Sequence, residues 1–123
     1  MQNHLREAVV SLRATIRSSG EVTILELEGR AIVGAGNDRL AGELQQLIQS
    51  GPRKLLVNLA GVTQVDSSGI STLVQAFVTL RQAGGSLKLL GASGRVREVL
   101  SMTRLLDTIP NFDDEAAALA SFR

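Results

Sequence analysis

Gln64-Val65-Asp66-Ser67-Ser68-Gly69-Ile70 is the junction at which the chain passes from a strand into a helix. Upstream lies Lys54-Leu55-Leu56-Val57-Asn58-Leu59, a mostly continuous apolar run that suits a central strand covered on at least one face. Downstream, Ile70, Leu73, Val74, Phe77 and Leu80 recur at i, i+3, i+4 and i+7, which predicts a helix from near Ser68 with that stripe on the core. Asp-Ser-Ser ahead of such a run is a helix-start signal. It places two hydroxyls where the first backbone N–H groups lack intrahelical partners. A plain N-cap, with Ser67 or Ser68 bonding the first turn, accounts for one of them. The other is then open to a partner.

Working outward toward the N-terminus, Ser50-Gly51-Pro52 stops an earlier helix, with glycine as C-cap and proline unable to continue it. That helix carries Leu40, Leu44, Leu47 and Ile48 on one stripe, and Asn37 or Asp38 can cap its start. Glu21 to Glu28 is rich in β-formers and reads as a strand ended by Gly29. Leu12, Ala14 and Ile16 alternate with Ser11, Arg13, Thr15 and Arg17 in a half-buried strand, and Ser18-Ser19-Gly20 makes the two a hairpin. Residues 1–10 read either as a leader or as an extension of the first strand through Glu7-Ala8-Val9-Val10, and residues 11–123 as one domain.

Toward the C-terminus, Ala83-Gly84-Gly85 is a C-cap and turn, and Ser86 to Leu90 a strand. A helix follows with Val96, Val99 and Leu100 inside and Ser93 as N-cap. Leu105 to Ile109 reads as the last strand and Pro110-Asn111 as a turn. Asp113-Asp114-Glu115 opens a final helix, whose Ala116, Leu119, Ala120 and Phe122 pack back on the domain. Consecutive carboxylates on a helix point different ways, so this triplet serves the N-terminal dipole rather than a metal. The predicted architecture is α/β: a mixed sheet of about five strands with an N-terminal antiparallel hairpin, parallel strand–helix–strand units, and about four helices.

Composition removes several function classes. With 44% hydrophobic and 20% charged residues, the chain has the means to fold. A net charge of +1 without blocks of like charge selects neither nucleic acid nor anionic lipid. There is no Cys, and His4 is the only His, so thiol catalysis and thiolate metal sites are excluded and no metal is expected. No apolar run reaches the roughly 18 residues of a membrane helix, which makes a cytoplasmic protein the expectation. The Gly29 to Gly34 spacing matches the first part of a phosphate-binding loop. Ala35 and Gly36 stand where that loop requires Lys and Ser or Thr, so a nucleotide cofactor is not expected. Asp66-Ser67-Ser68-Gly69 also lacks the first glycine of a hydrolase elbow, and no His other than His4 could serve as base, so an enzyme is not expected.

Val57 to Ile70, together with Gln82-Ala83-Gly84-Gly85-Ser86-Leu87-Lys88-Leu89-Leu90 and Val96-Arg97-Glu98-Val99-Leu100, resembles the STAS domain, the family of bacterial anti-sigma-factor antagonists. The resemblance implies that Ser67 is phosphorylated by an anti-sigma factor with serine kinase activity, which itself binds the ATP and Mg²⁺. It leaves room for a serine phosphatase that reverses the step. It also implies a partner surface made of Asp66, Ser67, Ser68 and Gly69 with the loop residues Gly34, Gly36, Asn37 and Asp38. The exposed face of the Ser68 helix (Ser71, Thr72, Gln75) joins them. Many members carry an acidic residue shortly after the first glycine of that loop. Here the equivalent stretch is Ala31-Ile32-Val33, which leaves Asp38 to take over that role or leaves it unfilled. Asn58 stands where many relatives carry Asp, and the reading favoured for it is a hydrogen bond to the neighbouring loop backbone. The alternative function is a non-switching STAS scaffold in a signalling or lipid-transport assembly.

Overall fold

The computed structural model describes residues 11–123. The readings of His4 and of Glu7 to Val10 lie outside these residues. Five strands form one sheet in the order β1 (Leu12–Ser19), β2 (Val22–Ala31), β3 (Lys54–Val65), β4 (Ser86–Leu90) and β5 (Asn111–Phe112). β1 and β2 are antiparallel, paired from Leu12↔Gly29 to Ser19↔Val22, and every later pair is parallel. The connecting helices are α1 (Ala35–Ser50), α2 (Ser67–Gln82) and α3 (Gly94–Met102), and α4 (Glu115–Ala120) follows β5. The predicted α/β architecture, with its N-terminal hairpin and four helices, is therefore what residues 11–123 adopt.

Strand alternation sends Leu25, Leu27, Leu55, Val57, Leu87 and Leu89 to one face of the sheet. There they meet Leu40, Leu44 and Leu47 of α1, Leu73 and Leu80 of α2, and Val96 and Leu100 of α3. Ile24, Leu56 and Leu90 point the other way, toward Ala118 and Phe122 around α4. Lys88 fastens this C-terminal segment: its ammonium lies 4.7 Å from the Phe122 ring centre and donates to the Ser121 carbonyl at 2.8 Å.

Several boundaries differ from the sequence reading. β2 continues through Gly29 to Ala31, and β3 continues past Leu59 to Val65, because the two strands go on pairing with each other beyond their apolar stretches. α1 begins at Ala35 behind Gly34, so neither Asn37 nor Asp38 is its cap. Leu105–Asp107 is a 3₁₀ turn behind Arg104 in a left-handed conformation (φ 64°), and the last strand lies beyond Pro110. Parallel pairing of Leu89 with Asn111 and Leu90 with Phe112 places it there. Ser93 occupies the cap position of α3 but its side chain makes no capping bond. In α4, Ala118 is the buried alanine while Ala116 and Ala120 face water, and in α2 Ala76 is buried where Val74 is exposed. Ile16, on the outer strand β1, is also exposed. Asn58 bonds to backbone as expected, but within β3 rather than to a neighbouring loop: its Oδ1 accepts from the Ala60 N–H at 3.0 Å, and its amide donates to Glu26.

Candidate functional site

The site forms where β2 and β3 end side by side. Between Glu26 and Ala31 the β2–β3 register slips twice, and β3 spends two more residues than β2 over the same distance. Ala31 thereby arrives opposite Val65, one residue before Asp66. The chain after β2 then crosses directly over the start of α2.

Asp66 is the N-cap of α2, a role the sequence reading gave to Ser67 or Ser68. Its Oδ1 accepts from the N–H groups of Ser68 (3.0 Å) and Gly69 (3.3 Å). The same oxygen accepts from the Ser68 hydroxyl at 2.5 Å, and Oδ2 accepts from the Val33 N–H at 2.9 Å. One carboxylate thus satisfies two orphan amides of its own helix and holds the β2–α1 loop as well. These bonds, led by the Ser68 hydroxyl and then the Val33 amide, hold the Asp66 carboxyl below its ordinary value of 3.8.

The two hydroxyls therefore have different positions. Ser68 is half-buried and committed to Asp66. Ser67, the first residue of α2, is exposed, and among the described residues no hydrogen bond engages its hydroxyl. Its position at the positive end of a 16-residue helix favours an added negative group.

Gly69 is buried. A Cβ there would lie 2.5 Å from the Ala31 carbonyl oxygen and 2.9 Å from Val65 Cγ2, so only glycine lets α2 start this close to β2 and β3. Gly36 is buried likewise, and a Cβ would overlap the Arg30 carbonyl oxygen. Both shape the surface through their backbone. Gly34 and Asp38 are exposed at the start of α1, and Asn37 is half-buried. Thr72 is drawn inward: its Oγ1 lies 2.7 Å from Asn37 Oδ1 and 3.0 Å from the Ser68 carbonyl, and its one proton is shared between them. The predicted residues of the loop and the Ser67 turn are thus brought together. Ser71 and Gln75 lie on the exposed face of α2 as expected.

One residue was missed. Val33 is 75% exposed, and its N–H donates to Asp66. A valine in a connection between glycines was the available signal, but its position depends on the amide bond to Asp66. Among the described residues, no group of three or more His, Asp or Glu is placed to hold a metal ion, and no helix is long and apolar enough to cross a membrane.

The family model of the STAS domain matches residues 13–118, which is most of the chain and includes every element of this site. The chain belongs to the STAS domain family. A Bordetella bronchiseptica protein named as a candidate anti-sigma factor antagonist, BtrV, is 27% identical over 95 residues, covering 76% of this chain and 82% of that protein. This STAS domain also shares its fold with an anti-sigma factor antagonist from Mycobacterium paratuberculosis, at TM-score 0.81 and 18% identity over 92% of this chain and 95% of that one. The Bacillus cell fate determinant SpoIIAA in its phosphorylated form superposes at TM-score 0.68 and 18% identity, over 90% of this chain and 100% of that one.

Proposed function

We propose that this STAS domain is an anti-sigma factor antagonist that binds an anti-sigma factor with serine kinase activity, releases a sigma factor, and is switched off by phosphorylation of Ser67. The observation that carries this reading is the unequal allocation of the two serines. Asp66 consumes the Ser68 hydroxyl, while the Ser67 hydroxyl stands exposed at the helix N-terminus. A STAS-fold protein that exists in a phosphorylated form, and a relative named as a candidate antagonist, support it. The ATP, the Mg²⁺ and the catalytic base belong to the partner.

Unmodified Ser67 is small and neutral, so it packs into an interface at little cost. Phosphorylation adds about −1.5 to −2 charge and three acceptor oxygens. The dipole at the start of α2 accommodates that charge within the domain. A partner surface that fitted a neutral hydroxyl does not accommodate it, and Asp66 adds a like charge next door. Binding is lost while the fold stays.

The test is capture from cell lysate in ADP and Mg²⁺ with wild type, Ser67→Ala and Ser67→Glu as baits, followed by mass spectrometry. A kinase-like ATPase held by the first two and weakened about a hundredfold by the third is the expected result. Incubating that protein with ATP should label Ser67 in wild type and in Ser68→Ala, and leave Ser67→Ala unlabelled. Equal capture of one multi-subunit assembly by all three baits would replace the switch with the scaffold reading.

A further inference from the structure

α2 has a single charged side chain in 16 residues, Arg81 in its last turn. A helix with one side in water ordinarily displays charges on that side. Here the outward stripe is Ser67, Ser71, Val74 and Val78, with both valines exposed. The uncharged surface continues sideways into a half-open groove of about 410 Å³ between α1 and α2. Its floor includes Leu44, Ile48 and Ala76, its rim includes Gln45, Gln49 and Gln75, and every described residue lining it is uncharged. The charged residues of α1 lie elsewhere on that helix, and Arg39 and Glu43 satisfy each other at 3.0 Å. Depletion of charge at the centre of a surface is the compositional mark of an interface core.

We infer that this groove receives an amphipathic helix of the partner that reads Ser67, laid with an uncharged aliphatic side against Leu44, Ile48 and Ala76. This rests on the phospho-switch reading above and specifies its partner. The groove is too small for a helix backbone but takes a few aliphatic side chains of one laid across it, the usual mode of helix-in-groove recognition. The chemistry of the occupant follows from the lining. A charge brought here would lose its water and find no counter-ion, whereas glutamine amides satisfy either a donor or an acceptor. Continuity with the Ser67 turn fixes which partner it is. Thr72 lines the groove and shares its proton with the Ser68 carbonyl and with Asn37, so groove and turn form one surface. A phosphoryl group on Ser67 then sits at the end of a surface whose occupant presents nothing to neutralise it.

The partner is first defined as the protein whose capture Ser67→Glu abolishes; it is then purified and titrated against four forms of the full chain. Gln45→Glu/Gln75→Glu puts two carboxylates on opposite sides of the groove, at exposed positions that leave the core intact. It should weaken binding about tenfold or more, beyond the smaller loss from Gln45→Ala/Gln75→Ala, which removes the rim amides without adding charge. Ala116→Glu/Ala120→Glu, an equal charge on the far face of the sheet, should change nothing. Hydrogen exchange on the wild-type complex should show protection across residues 41–49 and 72–79. Normal binding of the double carboxylate variant, or protection confined to the Ser67 turn, overturns the groove and leaves the switch standing. If no captured protein depends on Ser67, the switch itself fails and the groove assignment falls with it.

Discussion

At the C-terminal end of β3, Asp66 ties the β2–α1 loop to the start of α2 through four neutral donors: three backbone N–H groups and one hydroxyl. On the opposite face of the sheet, Glu115 ties α4 to β1 through one cation. Arg17 pairs with both Glu115 carboxylate oxygens and, through Nε, with Glu26 at 3.0 Å. The partners depress each carboxyl, the Ser68 hydroxyl first for Asp66 and the Arg17 guanidinium for Glu115, and raise the Arg17 guanidinium. What the carboxylates hold differs. Asp66 organises a surface that has little apolar packing of its own, with Val33 and Ser67 in water. Glu115 assists a helix already anchored by Ala118 and Phe122. The comparison teaches that a half-exposed carboxylate matters in proportion to how many orphan backbone groups depend on it, not to the charge it meets.

The largest expected effect comes from cutting the apolar root beneath the Asp66 region. Leu73, 1% exposed, packs α2 onto the sheet, and Leu73→Ala should cost about 2–5 kcal/mol in a denaturant titration. A loss as small as that of a surface substitution would mean that hydrogen bonds alone hold α2 in place.

Asp66→Ala comes next, at about 1–2 kcal/mol, because it removes an N-cap and frees the Val33 amide. Amide exchange at Val33 should quicken more than exchange across the sheet. If it does not, the loop is held by something other than this carboxylate. The acid limb of stability sharpens the same point. The folded carboxyl binds its proton more weakly than the unfolded one, so its contribution is complete above the ordinary value of 3.8 and is lost as pH falls through the lower folded value. Asp66→Asn should therefore flatten the stability profile on that acid side and leave its shape near neutrality unchanged.

Glu115→Gln should have the smallest effect, under about 1 kcal/mol, since both side chains of the pair are more than a third exposed and water screens them. Added salt should erode what remains, whereas the bonds of Asp66 to neutral donors should be nearly indifferent to salt. A salt-insensitive loss at Glu115 larger than the loss at Asp66 would invert the comparison.

Much of this was legible in the chain. Leu40, Leu44 and Leu47 recur at helical spacing, Gly51-Pro52 marks a stop, and the apolar run from Lys54 announces a strand; these are local signals with a local physical basis. Order of elements then constrains topology, since parallel strands require crossovers. The far strand differs from the sequence expectation because Leu105 to Ile109 is as apolar as a strand but curls behind the left-handed Arg104, while Pro110-Asn111 looks like a turn. Only pairing with β4 makes them a strand.

At the candidate site the division falls between neighbouring atoms. Sequence alone determined that Asp66, Ser67 and Ser68 stand at a strand-to-helix junction where amides lack partners. It could not determine which oxygen serves them. Tertiary structure decided that, by bringing Val33 against Asp66 through two slips in the β2–β3 register, and so left Ser68 bound and Ser67 exposed. Periodicity encodes which face of an element is buried. The allocation of a hydrogen bond depends on where a distant segment arrives, and no local pattern carries that information.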